Sequence, residues 1–138
     1  MLRERAGDAA GTPRSRVALS FGSPAGESGV TRLDLNEILI QHPQAAFLMR
    51  IAGSAMAEAG IGDGDLALID RALDAGHGDV VIAVVDDEFV CRRLQQHGGE
   101  ARLRATDPGV ADIVRGDGAG FDIWGVVTHV VRPVSVLA

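Results

Sequence analysis

Two apolar runs, Asp79 to Val85 and Glu88 to Leu94, stand back to back with only Asp86-Asp87 between them. The first is rich in Val and Ile, the second carries Phe89, Val90, Cys91 and Leu94, and both are short, so the segment is expected to form a β-hairpin that turns at the two aspartates. A lone hairpin is marginal in water and needs further strands beside it. Ala46 to Ile51, Leu66 to Asp70, Ala101 to Ala105, Ile113 to Arg115 and Ile123 to Arg132 are expected to supply them. Gly is abundant at 18 residues and aromatics are scarce at 4% with no Tyr, which implies frequent turns around an aliphatic core. The expected fold class is therefore mostly β, in one domain, because 138 residues are too few for two.

One segment reads as helical. Leu35, Ile38 and Leu39 follow Asp34, a good N-cap, with Glu37 three residues later and His42-Pro43 as a stop, which predicts a short helix over Leu35 to Gln41. Ser54 is a second cap candidate, for one or two turns ended by Gly60. Residues 1–32 are read as a flexible or extended N-terminal arm and 33–138 as the β domain. Met1 to Arg16 carries four Arg and little apolar pattern, and Ser20 to Val30 is turn-rich with Phe21 as its anchor. The arm lacks the apolar stretch of a signal peptide, and Val80 to Val85 is far shorter than the ~20 residues that a bilayer requires.

The net charge of −6 argues against direct nucleic-acid binding, which needs clustered cations. All thirteen cationic residues are Arg; there is no Lys. With one cysteine, Cys91, neither an internal disulfide nor a cysteine zinc cluster is possible, and a reducing cytoplasm fits. Cys91 reads as a packed strand thiol without chemistry. His42, His77, His97 and His129 lack the i,i+4 pairing of a zinc helix. Asp63, Asp65 and Asp70 do not follow the calcium-loop pattern. Gly60 to Asp65 lacks the Lys of a phosphate loop and reads as a tight turn. No metal or cofactor is expected.

Several segments read together resemble the UmuD/LexA-like family of self-cleaving Ser-Lys peptidases, and most of all its UmuD branch. They are Ser23-Pro24-Ala25, Leu33 to Pro43, Gly60 to Leu66, His77 to Ala83, Glu88-Phe89 and Gly125 to Val131. The resemblance implies a small β domain with an arm that the protein cuts in itself. It places the nucleophilic serine in a Gly-x-Ser-Met turn, here Gly53-Ser54-Ala55-Met56, and the general-base lysine in the strand after Glu88-Phe89-Val90-Cys91. Ala55 stands at the nucleophile position and Arg92 at the base position. Alanine has no oxygen to attack with, and a guanidinium with a pKa above ~12 is no base near neutrality. The bond to be cut is also altered, to Leu19-Ser20.

The expectation is a pseudopeptidase. Ser54 is one residue out of register and reads as a cap, and Arg92 is expected to pair with a carboxylate such as Glu58. By resemblance the protein would be a homodimeric, cytoplasmic accessory factor of a Y-family (UmuC-like) translesion polymerase in the SOS response to DNA damage, meeting the RecA filament and the sliding clamp. The alternatives are a decoy subunit that heterodimerises with an active UmuD or LexA-like protein, or an active self-cleaving peptidase should Ala55 be an engineered substitution.

Overall fold

A computed structural model describes residues 32–115 and 120–135. Residues 1–31, with the Leu19-Ser20 bond and nearly all of the expected arm, lie outside the described residues. The chain divides between Gln41 and His42 into two units. In the first, α1 (Leu35–Leu39) starts where the sequence suggested: the Asp34 carboxylate accepts the Asn36 N–H at 3.0 Å. It ends at Leu39 and not at Gln41, because Ile40 is already extended and donates back to the Asn36 carbonyl.

The second unit is built on β1 (Ala46–Arg50), β2 (Leu66–Asp70), β3 (Val80–Val85), β4 (Glu88–His97), β5 (Glu100–Arg104), β6 (Ile113–Val114) and β7 (Asp122–Val131). These form one antiparallel sheet in the order β1-β2-β7-β3-β4-β5-β6, so the mostly β expectation holds. The β3–β4 hairpin turns at Asp86-Asp87, both with positive φ (51° and 66°), as its two-residue loop requires. A second hairpin was not foreseen. β4 runs three residues past Leu94 because Gly98-Gly99, also at positive φ, folds β5 back onto residues 93–97.

Apolar side chains fill both faces of the central strands. Ile69, Ile82, Ala67 and Met56 sit in one cluster; Val81, Ala83, Leu94 and Leu103 sit in the other. β7 pairs with β2 on one edge and β3 on the other, so its nearly continuous apolar run is explained by an interior position. Asp65 is buried and receives the Arg132 guanidinium, through Nε at 2.7 Å and through Nη2, together with the Gly62 N–H at 2.7 Å. This ties the 60–65 turn to the end of β7 and holds the Asp65 carboxyl down to about 2. Among the described residues no helix is long and apolar enough to cross a membrane.

Candidate functional site

The Gly53–Met56 turn leaves β1 and is anchored from three directions. Met56 is buried in the core. Gly53, at φ 87°, donates its N–H to Asp63 Oδ1 at 2.7 Å. The Ala55 carbonyl accepts three hydrogen bonds: from the N–H groups of Thr106 (2.9 Å) and Asp107 (3.1 Å) and from the Thr106 hydroxyl (3.0 Å). The same hydroxyl accepts the Glu58 N–H at 3.2 Å.

Ser54 does not cap a helix by its side chain. The turn Ala57–Ala59 is a single 3-10 turn with Met56 at its N-cap, and it is the Ser54 carbonyl that accepts the Ala57 N–H. The Ser54 hydroxyl makes no hydrogen bond among the described residues, so no base is in contact with it. Gly60 ends the turn in the left-handed conformation, as its sequence position suggested.

Arg92 lies on β4 opposite Val81 and is half-buried. The expected pairing with Glu58 is absent; Arg92 Nη1 donates instead to the carbonyl of its neighbour Cys91 at 2.8 Å. Its Nε is buried with no hydrogen-bond partner among the described residues. An unmatched buried donor of this kind typically costs about 1–3 kcal/mol. Cys91 is buried beside it, and burial pushes the thiol up to about 11 against the opposing pull of the Arg92 charge. It therefore stays protonated and weakly nucleophilic at neutral pH.

These elements enclose a groove of about 430 Å³. Ala55 and Arg92, 37 positions apart in the chain, both line it, along with Ser54 and the apolar Met49, Ile51 and Val110. The structure thus brings together the two positions that the resemblance singled out. Ala55 and Arg92 supply neither a nucleophilic oxygen nor a neutral amine there, while the N–H groups of Ser54, Ala55 and Met56 make no hydrogen bond among the described residues. What the two positions and these amides can do is donate hydrogen bonds.

Thr106, Asp107 and Asp63 were missed by the sequence reading as parts of this site. Their contacts run mostly through backbone groups, and Thr106-Asp107-Pro108-Gly109 signals only a turn. The carboxylates once weighed as metal ligands have structural partners: Asp63 the Gly53 N–H, Asp65 the Arg132 guanidinium, and Asp70 both His42 Nδ1 (2.6 Å) and the Ala72 N–H.

The family model described as Peptidase S24-like matches residues 12–128. Protein ImpA of Shigella flexneri is 38% identical over 117 residues, covering 85% of this chain and 79% of that protein. Protein MucA of Salmonella typhimurium is 34% identical over 114 residues, 83% and 78% of the respective chains. The LexA repressor of Cupriavidus taiwanensis is 36% identical over 86 residues, 62% of this chain and 40% of the repressor. The match runs from before the expected cleavage position into the last strand, through both groove-lining positions, and the chain belongs to the UmuD/LexA-like, Peptidase S24-like family.

Proposed function

We propose that this chain is a non-catalytic, UmuD-like member of the family that acts by binding, as an accessory protein of a Y-family translesion polymerase in the bacterial SOS response. The observation that carries the reading is the shared groove of Ala55 and Arg92, where the family's chemistry would need a hydroxyl and a neutral amine. The acidic balance of the chain fits a protein partner that holds the DNA. The RecA filament and the sliding clamp are further expected partners, and the cytoplasm the expected compartment.

The test is intact mass after incubation with an activated RecA filament and, separately, at alkaline pH. The expected result is the full-length chain in both. A fragment beginning at Ser20 overturns the reading, and its loss in Ser54→Ala assigns the attack to Ser54.

The working form is a homodimer. Leu48 (62% exposed) and Val131 (44% exposed) lie on the same face of the sheet, because Leu48 is in register with Leu68 and, two residues along the same strand, Leu66 is in register with Val131. Light scattering is expected to give twice the chain mass, falling to one chain in Leu48→Asp with Val131→Arg. A monomer in the unaltered protein rejects the homodimer. Should affinity capture return only an active homologue and no polymerase, the chain is instead the decoy subunit.

A further inference from the structure

β2 and β3 lie on either side of β7, so the connection between them, residues 71–79, has to cross β7. It does so over the apolar cluster of Val81, Ala83 and Leu94, against which Leu73 and Ala75 pack. Its far end is fastened to β4. The Gly78 N–H donates to the Leu94 carbonyl and the Leu94 N–H to the Asp79 carbonyl, each at 2.8 Å, and Arg93 Nη1 donates to the Gly78 carbonyl at 2.7 Å.

One fastening is of a different kind. Backbone direction alternates along a strand, so Gln96 turns its N–H to the same side as Leu94, two residues past it and beyond the end of β3. No backbone carbonyl answers it there; His77 Nδ1 does, at 3.0 Å. The His97 ring stands edge to face against the His77 ring, with centroids 4.5 Å apart at 63°. The charged groups on the elements packed around the pair are Arg93 on β4, Glu100 and Arg102 on β5, and Asp74 and Asp79 on the loop. Glu100 is held by Arg102 at 2.6 Å, and Asp79 Oδ2 accepts the Gly76 N–H at 2.9 Å. Among the described residues neither imidazole is hydrogen-bonded to a carboxylate.

An imidazole accepts a hydrogen bond at Nδ1 only while that nitrogen carries no proton. A proton there aims a donor at the Gln96 donor and sets a charge against a second imidazole. We propose that His77 is an acid-released latch: with Nδ1 unprotonated it holds the 71–79 loop on β4, and protonation lets the loop lift from the cavity that it covers. That cavity, of about 350 Å³, is walled by Leu73, Asp74 and Ala75 of the loop and by Leu94, Gln96 and Ile123 of the sheet. Because proton binding excludes the latched form, the latch is complete at neutral pH and above and is lost as the pH falls through the range, about 6.5, in which imidazoles titrate. Neither Ala55 nor Arg92 takes part, so the latch stands apart from the binding-only reading above.

The experiment is amide exchange by NMR on the full chain at pH 7.5 and 5.5, each rate divided by that of an unstructured peptide at the same pH. Protection at Gln96 and at Gly78 is expected to fall about tenfold between the two, the factor for one proton over one pH unit below the imidazole range. The Ile82 amide, in a strand paired on both sides, is expected to change less than about twofold. His77→Asn puts an amide oxygen where Nδ1 stands and does not titrate, so protection is expected to persist at both pH values. In His97→Phe the ring remains and the second charge is gone, which moves the release to lower pH.

Protection that is independent of pH in the unaltered protein overturns the proposal. So does a fall that survives in His77→Asn, which assigns the response to another group, or a fall at Gln96 with none at Gly78, which means that the ring swings out and the loop stays. Should His77→Asn not fold, His77→Ala decides: weak protection at Gln96, the same at both pH values, supports the latch, and a remaining tenfold fall overturns it.

Discussion

The Ala55 carbonyl is held by both hydrogen-bonding groups of Thr106 that point at it, the N–H at 2.9 Å and the hydroxyl at 3.0 Å. One residue thereby joins the turn after β1 to the loop after β5, and its hydroxyl also receives the Glu58 N–H from the following 3-10 turn.

Thr106→Val keeps the side-chain shape and the backbone bond but removes both hydroxyl contacts. At ordinary values for hydrogen bonds of this kind the loss is about 1–2 kcal/mol, read as a lower urea midpoint with an unchanged slope. Thr106→Ser retains the hydroxyl and is expected to stay within about 0.5 kcal/mol of the parent. Amide exchange at Glu58 is expected to quicken in the Val variant only. Equal destabilisation by Val and Ser would show that the methyl group, and not the hydroxyl, is what the turn needs.

A methyl group at Gly125 has no room. A Cβ built there lies 2.5 Å from Ile69 Cγ2 and 3.2 Å from Arg71 Cγ, at a point where β7 is flanked by β2 and β3. Ile69 is fully buried and cannot swing away. Gly125→Ala is therefore expected to destabilise by about 1–3 kcal/mol, the usual range for an overfilled core. Ile69→Ala removes the clashing carbon, so the double variant is expected to cost less than the sum of the two singles in denaturation. Strict additivity would mean that the sheet shifts to accept the methyl without using the Ile69 space.

How far these features could be read in advance depended on how local their cause was. The Asp86-Asp87 hairpin was legible because apolar runs flank a two-residue turn, a pattern that needs no knowledge of the rest of the chain. The Gly98-Gly99 hairpin was not, since Gln95, Gln96 and His97 show no apolar alternation and become strand only by pairing with β5. Ala55 and Arg92 were visible through the family pattern. The hold of Thr106 on Ala55 was not, because it joins residues 51 positions apart and mostly through backbone. The Glu58 pairing failed for a related reason: charge type alone cannot tell that an arginine will satisfy its neighbour's carbonyl and leave Nε unmatched.

The Asp65–Arg132 contact sets a pH response. The Asp65 carboxyl is lowered from an ordinary 3.8 to about 2, first by the Arg132 hydrogen bonds and then by the Gly62 N–H. A depressed folded-state value means that the unfolded chain binds the proton more readily, so the contribution is complete above about 4 and is lost as the pH falls from there towards about 2. Arg132→Met removes the main cause of the shift. Its chemical denaturation midpoint is expected to lie below the parent's at pH 7, and the gap is expected to narrow as the pH drops below 4. A gap that stays constant from pH 7 to 2 would place the effect of Arg132 in packing and not in its charge.

The two groove positions can be asked directly whether chemistry is missing only for want of two side chains. Ala55→Ser restores an oxygen but faces a guanidinium that stays charged across the accessible pH range. Arg92→Lys restores a titratable amine but leaves no nucleophile at 55. Each single variant is therefore expected to remain uncut, like the parent. The double variant has both partners in one groove, on a turn already fixed by Asp63, Thr106 and Asp107. Slow release of a fragment beginning at Ser20 is the expected outcome, slow because Leu19-Ser20 is not the bond the family cuts. The rate is expected to rise with pH, since only the neutral amine accepts the serine proton and the alkaline side supplies more of it. Intact mass and N-terminal sequencing across pH 7 to 10 check this. Cleavage by the Arg92→Lys single variant, abolished by adding Ser54→Ala, would move the nucleophile to Ser54 and show that the present chain lacks only a base.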